Sequence, residues 1–159
     1  MIDEIDRKIL SIIQGNARTS NAEIARQVGM APSAILERIR KLEDKSIIEG
    51  YTVKLNPRSL GAGQLAFVFV RTNDRVGEGE TARLLAESPE AEEVHDVAGE
   101  DCYLVKVRAA NTESIGRLLR ERFGPIKSIT STRTTIVLET IKETGALPLT
   151  APPAGEKDR

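Results

Sequence analysis

"EIARQVGMAPSAILERI", residues 23–39, reads as two helices with almost nothing between them. Apolar residues recur at helical spacing on both sides: Ile24, Ala25 and Val28 before the break, Ile35, Ile39 and Leu42 after it. The break is Gly29-Met30-Ala31-Pro32. Gly29 supplies the left-handed backbone that ends a helix tightly, and Pro32 has its φ pre-set for the first position of the next. So short a turn forces the two helices to a steep angle. The second of them, residues 32–44, then protrudes and carries Arg38, Arg40 and Lys41.

Upstream, Ile2, Ile5, Ile9, Ile12 and Ile13 mark another amphipathic helix, with Asp3 as its N-cap and Gly15-Asn16 as its stop. Ser20 and Glu23, three apart, predict a capping box for the helix that precedes the corner. Downstream, "SIIEGYTVKL" (46–55) predicts a small strand pair or wing turning at Glu49-Gly50. Such a wing would place Tyr51 and Lys54 near the end of the third helix. Residues 1–55 therefore read as a helix-turn-helix unit, braced by the first helix. A small helical bundle with a solvated basic face fits the same pattern.

A helix thrust out at such a corner fits a DNA major groove about 12 Å wide. Ser33 and Ala34, at its N-terminal end, are placed for base edges or phosphates, and Arg38 and Lys41 for phosphates. Arg18, Ser20 and Asn21 sit where the preceding helix begins and can clamp the DNA backbone. Ala31 has no side-chain acceptor for an N-cap, which leaves N–H groups free for a phosphate. Charge agrees in distribution but not in sum. The net charge is −1, yet residues 17–41 hold five basic groups against two acidic ones, and residues 56–159 hold 14 against 16. Nucleic-acid contact is expected only in the first third.

The rest of the chain follows a different rhythm. "NPRSLGAG" (56–63) is read as a linker. After it come a strand (64–73), a helix (77–88), two strands around the turn Gly99-Glu100-Asp101, a helix (112–123) and a long Thr-rich strand (126–143). The order β-α-β-β-α-β predicts a ferredoxin-like layout with both helices on one face of an antiparallel sheet, so the whole chain is α+β. "LAFVFV" would then leave an apolar face open on the other side, and a second copy of the sheet is its expected cover. The Pro-rich end, "GALPLTAPPAGEKDR", is expected to be disordered from Ala151.

Taken together, "IDEIDRKIL", "NAEIARQVGMAPSAILERIRKLEDKSIIEGY", "VAGEDCYLVKV" and "STRTTIVLETIKE" resemble the Lrp/AsnC (leucine-responsive, feast/famine) family of prokaryotic transcription regulators over residues 2–147. The resemblance implies a DNA-binding domain at 1–55, a linker at 56–63, an effector-sensing and oligomerisation domain at 64–147 and a tail at 148–159. It also implies dimers that assemble into octamers or larger rings, and regulation by a small molecule, commonly an amino acid. The family's recognition helix corresponds to residues 32–44. Glu37 stands where many relatives carry a base, and is expected to face away or to meet a cytosine amino group. The effector pocket falls on Gly99, Asp101, Cys102, Tyr103, Thr132 and Thr134. Cys102 occupies the position where the family usually has an acid, with Asp101 displaced by one. Asp101 as an ordinary turn acid, and the two threonines as simple strand formers, fit equally.

The same architecture occurs in sirohaem decarboxylases, and "EVHDV" places His95 on the strand where such an enzyme would keep a functional histidine. Against that reading, aromatic residues make up only 3% of the chain and His95 is the single histidine. One cysteine and one histidine do not make a structural zinc site, and no cofactor is expected. The longest apolar run, Leu65–Val70, is far short of a membrane span. A non-enzymatic, cytoplasmic regulator is the expectation.

Overall fold

The computed structural model describes residues 2–74 and 79–149. They fall into two compact units: residues up to Lys54 together with those from Lys142 onward, and Leu55–Ile141. No described helix is long and apolar enough to cross a membrane. The expected disorder from Ala151, and the first two residues of the helix expected at 77–88, lie outside the described residues.

Three helices build the first unit. Helix α1 (Glu4–Gly15) starts with a full capping box: Asp3 accepts the Asp6 N–H at 2.7 Å, and Asp6 accepts the Asp3 N–H at 3.1 Å. Helix α2 (Asn21–Val28) makes only half of its expected box. The Ser20 hydroxyl accepts the Glu23 N–H at 3.2 Å, but the Glu23 carboxylate turns instead to Arg26 and Gln27. Gly29, at φ 77° and ψ 38°, closes α2. Helix α3 (Pro32–Asp44) opens three residues later, with no side-chain cap from Ala31. Ile9, Ile24, Ala25, Ile35 and Ile39 meet in one small core, which fixes the angle of the corner.

The expected wing at 46–55 does not form; no strand is present there. Ser46 takes φ 54°, and the amides of Ile47 and Ile48 fold back onto the Leu42 carbonyl at 2.9 and 3.1 Å. These residues terminate α3, so none is left to pair with the extended chain that follows. Tyr51 does reach α3, donating to Glu43 Oε1 at 2.9 Å. Lys54 does not; its Nζ donates to the Glu143 carbonyl at 3.2 Å. At the far end of α1, Gln14 engages both main-chain groups of Leu147, with distances of 2.7 and 3.1 Å.

The second unit is a four-stranded antiparallel sheet in the order β2-β3-β1-β4, with β1 (Gln64–Thr72), β2 (Ala91–Asp96), β3 (Tyr103–Ala109) and β4 (Ile129–Ile136). Helices α4 (Glu80–Ala86) and α5 (Thr112–Leu118) supply Leu85, Ile115 and Leu118 to the same face. There they meet Val68 and Val70 of β1 and Val105 and Val107 of β3, all fully buried.

Two elements differ from expectation. The helix read over 112–123 ends its α-helical part at Leu118 and finishes as a π-helical turn, Leu119–Phe123, closed by the Gly124 N–H on the Leu119 carbonyl at 2.8 Å. A Cβ on Gly124 would lie 2.7 Å from the Arg120 carbonyl oxygen, so glycine is required by close approach. The final strand is shorter than 126–143. Ile126 is buried in a turn, and beyond Val137, whose N–H reaches the Leu65 carbonyl, β1 has only Gln64 left. Leu138 and Ile141 are consequently exposed.

The open face of the sheet is less apolar than "LAFVFV" suggests. Phe67 and Phe69 of β1 and Leu104 of β3 lie among Lys106, Arg133, Glu93 and His95, which the pairing puts on the same side. The Arg133 guanidinium stacks 3.9 Å from the Phe69 ring centre.

Candidate functional site

The exposed side of α3 begins with Ser33, solvent-facing, in a helix whose first turn lacks a capping side chain. Its amide is oriented outward by the helix geometry, where the positive end of the helix dipole favours an anion. Ala34 is half-buried and lines a cleft of about 310 Å³ with Ile2, Asp6, Glu37, Arg38 and Lys41. Arg18 is exposed; its N–H donates to Asn16 Oδ1. The Ser20 hydroxyl is occupied as the N-cap of α2, and Asn21 opens that helix half-buried.

The two basic residues assigned to phosphates behave differently. Lys41 is exposed and pairs with Glu37 one turn earlier, Nζ to Oε1 at 2.6 Å. Such an exposed pair is weak and gives way readily to a phosphate. The same pairing answers the question of Glu37: its carboxylate lies along the helix, held below its ordinary range by the Lys41 hydrogen bond. Arg38 is a different case. Its Nη1 donates to Asp3 Oδ2 and to Asp6 Oδ1, both at 2.7 Å. These contacts join α3 to the start of α1, more than thirty residues away in sequence, and nothing in the local pattern announces them.

The six residues assigned to an effector do not converge within one copy of the chain. Gly99 is exposed in the β2–β3 turn, and Asp101 beside it accepts from Arg133 Nη2 at 3.0 Å. Cys102 opens the return strand, with its N–H on the Val70 carbonyl at 2.9 Å and its Sγ 3.4 Å from the Thr72 nitrogen. Tyr103 is buried, and its phenol is pushed up first by that burial and then by Asp74 and Asp96. Thr132 and Thr134 pair with Val70 and Val68, so strand alternation aims all three hydroxyl-bearing side chains toward the helical face. Arg133, between the two threonines, faces the opposite side with Phe69.

Sequence reasoning missed what holds the β2–β3 turn. Arg71 Nε donates to the Glu100 carbonyl at 3.1 Å and its Nη2 to the Glu100 carboxylate at 3.3 Å, while Arg133 secures Asp101. Both arginines stand on strands adjacent in the sheet, two residues out of register with each other, and that register was the only clue. His95 is exposed, with Nε2 3.0 Å from Glu93 Oε2.

The comparisons agree with this geometry. The AsnC-type helix-turn-helix domain matches residues 2–43, and the Lrp/AsnC ligand binding domain matches residues 65–147. The chain is 39% identical to the HTH-type transcriptional regulator FL11 of Pyrococcus horikoshii, over 93% of this chain and 97% of that protein. It is 37% identical to the leucine-responsive regulatory protein of Escherichia coli, over 92% of this chain and 90% of that one. Among solved structures, Escherichia coli AsnC superposes with a TM-score of 0.86 at 29% identity, covering 93% of this chain and 99% of AsnC. The Neisseria meningitidis regulator NMB0573, solved as a complex with L-Met, gives 0.88 at 28% identity, covering 94% and 97%. With both domain models matched in this order and relatives of this identity along nearly its whole length, the chain belongs to the Lrp/AsnC family of transcriptional regulators.

Proposed function

We propose that this regulator acts by binding alone, in the cytoplasm, with residues 1–55 docking on duplex DNA and residues 64–147, beyond the linker at 56–63, sensing a small molecule. The observation that carries the DNA assignment is the exposed, uncapped start of α3 immediately after the Gly29 corner. Ser33 and Ala34 read base edges or phosphates there, and Arg18, Ser20, Asn21 and Lys41 contact the backbone. Each phosphate neutralised releases counterions, so replacing both Arg18 and Lys41 by Ala should lower affinity for every duplex and reduce the salt slope by about 0.9 per contact. An unchanged slope in a quantitative shift assay would remove these two residues from the interface.

The working unit is a homodimer or a larger ring such as an octamer, joined through the open face of the sheet. Phe67, Phe69 and Leu104 supply the apolar part of that face, and paired recognition helices gain affinity from being linked. Native mass measurement tests it; a monomer at micromolar concentration rules it out. The effector is a small molecule such as an amino acid, held at the β2–β3 turn. Gly99, Asp101, Cys102, Tyr103, Thr132 and Thr134 split between two sides of one sheet, which supports a site completed by a neighbouring copy. Selection of bound DNA from a random pool, with and without each amino acid, reads both halves of the proposal at once. An occupancy indifferent to the whole panel would exclude amino-acid sensing.

A further inference from the structure

We infer that Arg38 is a positioning residue that sets the attitude of the recognition helix through Asp3 and Asp6, and that it makes no phosphate contact. The inference rests on the DNA-binding reading above and deepens it.

Oxygen accounting carries the argument. Asp3 spends Oδ1 on the Asp6 N–H and Oδ2 on Arg38; Asp6 spends Oδ2 on the Asp3 N–H and Oδ1 on Arg38. All four carboxylate oxygens are therefore committed, two to backbone N–H groups and two to Arg38. The Asp6–Arg38 half of the set is sheltered, at 15% and 28% side-chain exposure against 63% for Lys41, while Asp3 is 52% exposed. Two carboxylates around one guanidinium carry a net charge of −1, which repels a phosphate instead of inviting one. Breaking the set to free Arg38 would strand two acids at the start of α1. The helix dipole and the Asp6 and Arg38 hydrogen bonds together stabilise the charged form of Asp3, whose carboxyl is held below its ordinary range first by the Asp6 N–H and then by Arg38.

The geometric effect is specific. The pairs Lys8–Glu4, Arg26–Glu23 and Lys41–Glu37 each join residues within one helix. The Arg38 pairs instead tie α3 to α1, and they do so at the middle of α3, beside the Ile35–Ile39 stripe. The hydrophobic core fixes which face of α3 is buried, and a charge-assisted anchor from the single nitrogen Nη1 to both acids adds a second fixed point on α1.

Opposite signs make the inference testable. The probe is the duplex most enriched from a random-sequence pool by the unsubstituted full chain, with affinity measured across salt concentrations. Asp6→Asn is isosteric, and removes a negative charge beside the DNA-facing helix. If Arg38 positions the helix, Asp6→Asn and Arg38→Ala each weaken binding about tenfold while the salt slope stays unchanged. If Arg38 is a phosphate contact, Asp6→Asn tightens binding and Arg38→Ala lowers the slope by about 0.9; either overturns the inference. Thermal unfolding of the single variants and of the Asp6→Asn/Arg38→Ala double supplies a readout independent of DNA. Non-additive midpoints support the anchor, and additive ones defeat it. Should the unsubstituted chain enrich no duplex, the DNA reading fails, while the unfolding cycle still judges the anchor.

Discussion

Two short turns govern this molecule, and they are held by opposite means. The corner between α2 and α3 is made of backbone: Gly29 in left-handed conformation, Pro32 at the helix start, and a buried Ile24–Ile35 contact region beneath. The turn between β2 and β3 is made of side chains brought from elsewhere: Arg71 from β1 on Glu100, and Arg133 from β4 on Asp101. Backbone preference and apolar packing barely respond to salt or to a competing anion. Exposed arginine–carboxylate pairs respond to both. The α2–α3 corner is thus built to keep its shape, and the β2–β3 turn is built to respond to its surroundings.

Substitutions can break that contrast. The largest effect is expected at Ile35, fully buried beneath the corner: Ile35→Ala should cost about 3 kcal/mol in chemical denaturation, enough to unfold a small three-helix unit. Next is Gly29→Ala. No atom lies within 4 Å of the added Cβ, so the cost is purely conformational, about 1 kcal/mol, and should be insensitive to salt. If half-molar salt alters that penalty, the corner is not the backbone device described. Smaller still, Arg71→Ala and Arg133→Ala should each change global stability by less than about 1 kcal/mol. Their mark should instead be faster amide exchange at 99–102, more evident at low salt than at high salt. A loss comparable to that at Gly29 would mean the sensor turn is structural after all.

The smallest effect concerns acid. Glu23, hydrogen-bonded first by Arg26 and then by Gln27, has its carboxyl lowered from the ordinary 4.5 to about 2. Because the folded value lies below the unfolded one, its contribution is complete above about pH 4.5 and is lost as the pH falls toward 2. Solvent screening at this surface position keeps that contribution small. A carbon-detected NMR titration of Glu23 should show a midpoint near 2, and a midpoint at the ordinary value would dissolve the pairing.

The same contrast explains what could be read in advance. Gly29, Pro32, Asp3 and Ser20 act on their immediate neighbours, so their roles were visible in a few letters of sequence. The strand order was legible from period and turn spacing, because each sheet residue alternates in a fixed way. The wing was misread because "SIIEGYTVKL" has strand-forming residues whose backbone is consumed in closing α3. The final strand was overextended because strand propensity says nothing about where the partner ends. Arg38 was assigned to phosphate because a basic residue on a recognition helix looks available; its two acids lie 35 and 32 positions away. Charge partners at that distance are set by packing, which one sequence does not display. For the same reason, the split of the effector residues between two sides of the sheet emerged only from the register.

One contact links opposite ends of the polypeptide in a practical way. Gln14 is clasped to the main chain of Leu147, so the carboxyl-terminal stretch is a working part of the helical unit that begins the molecule. Fusing cargo there, or stopping synthesis after Ile141, amounts to editing the helical unit through a contact 133 residues along the chain.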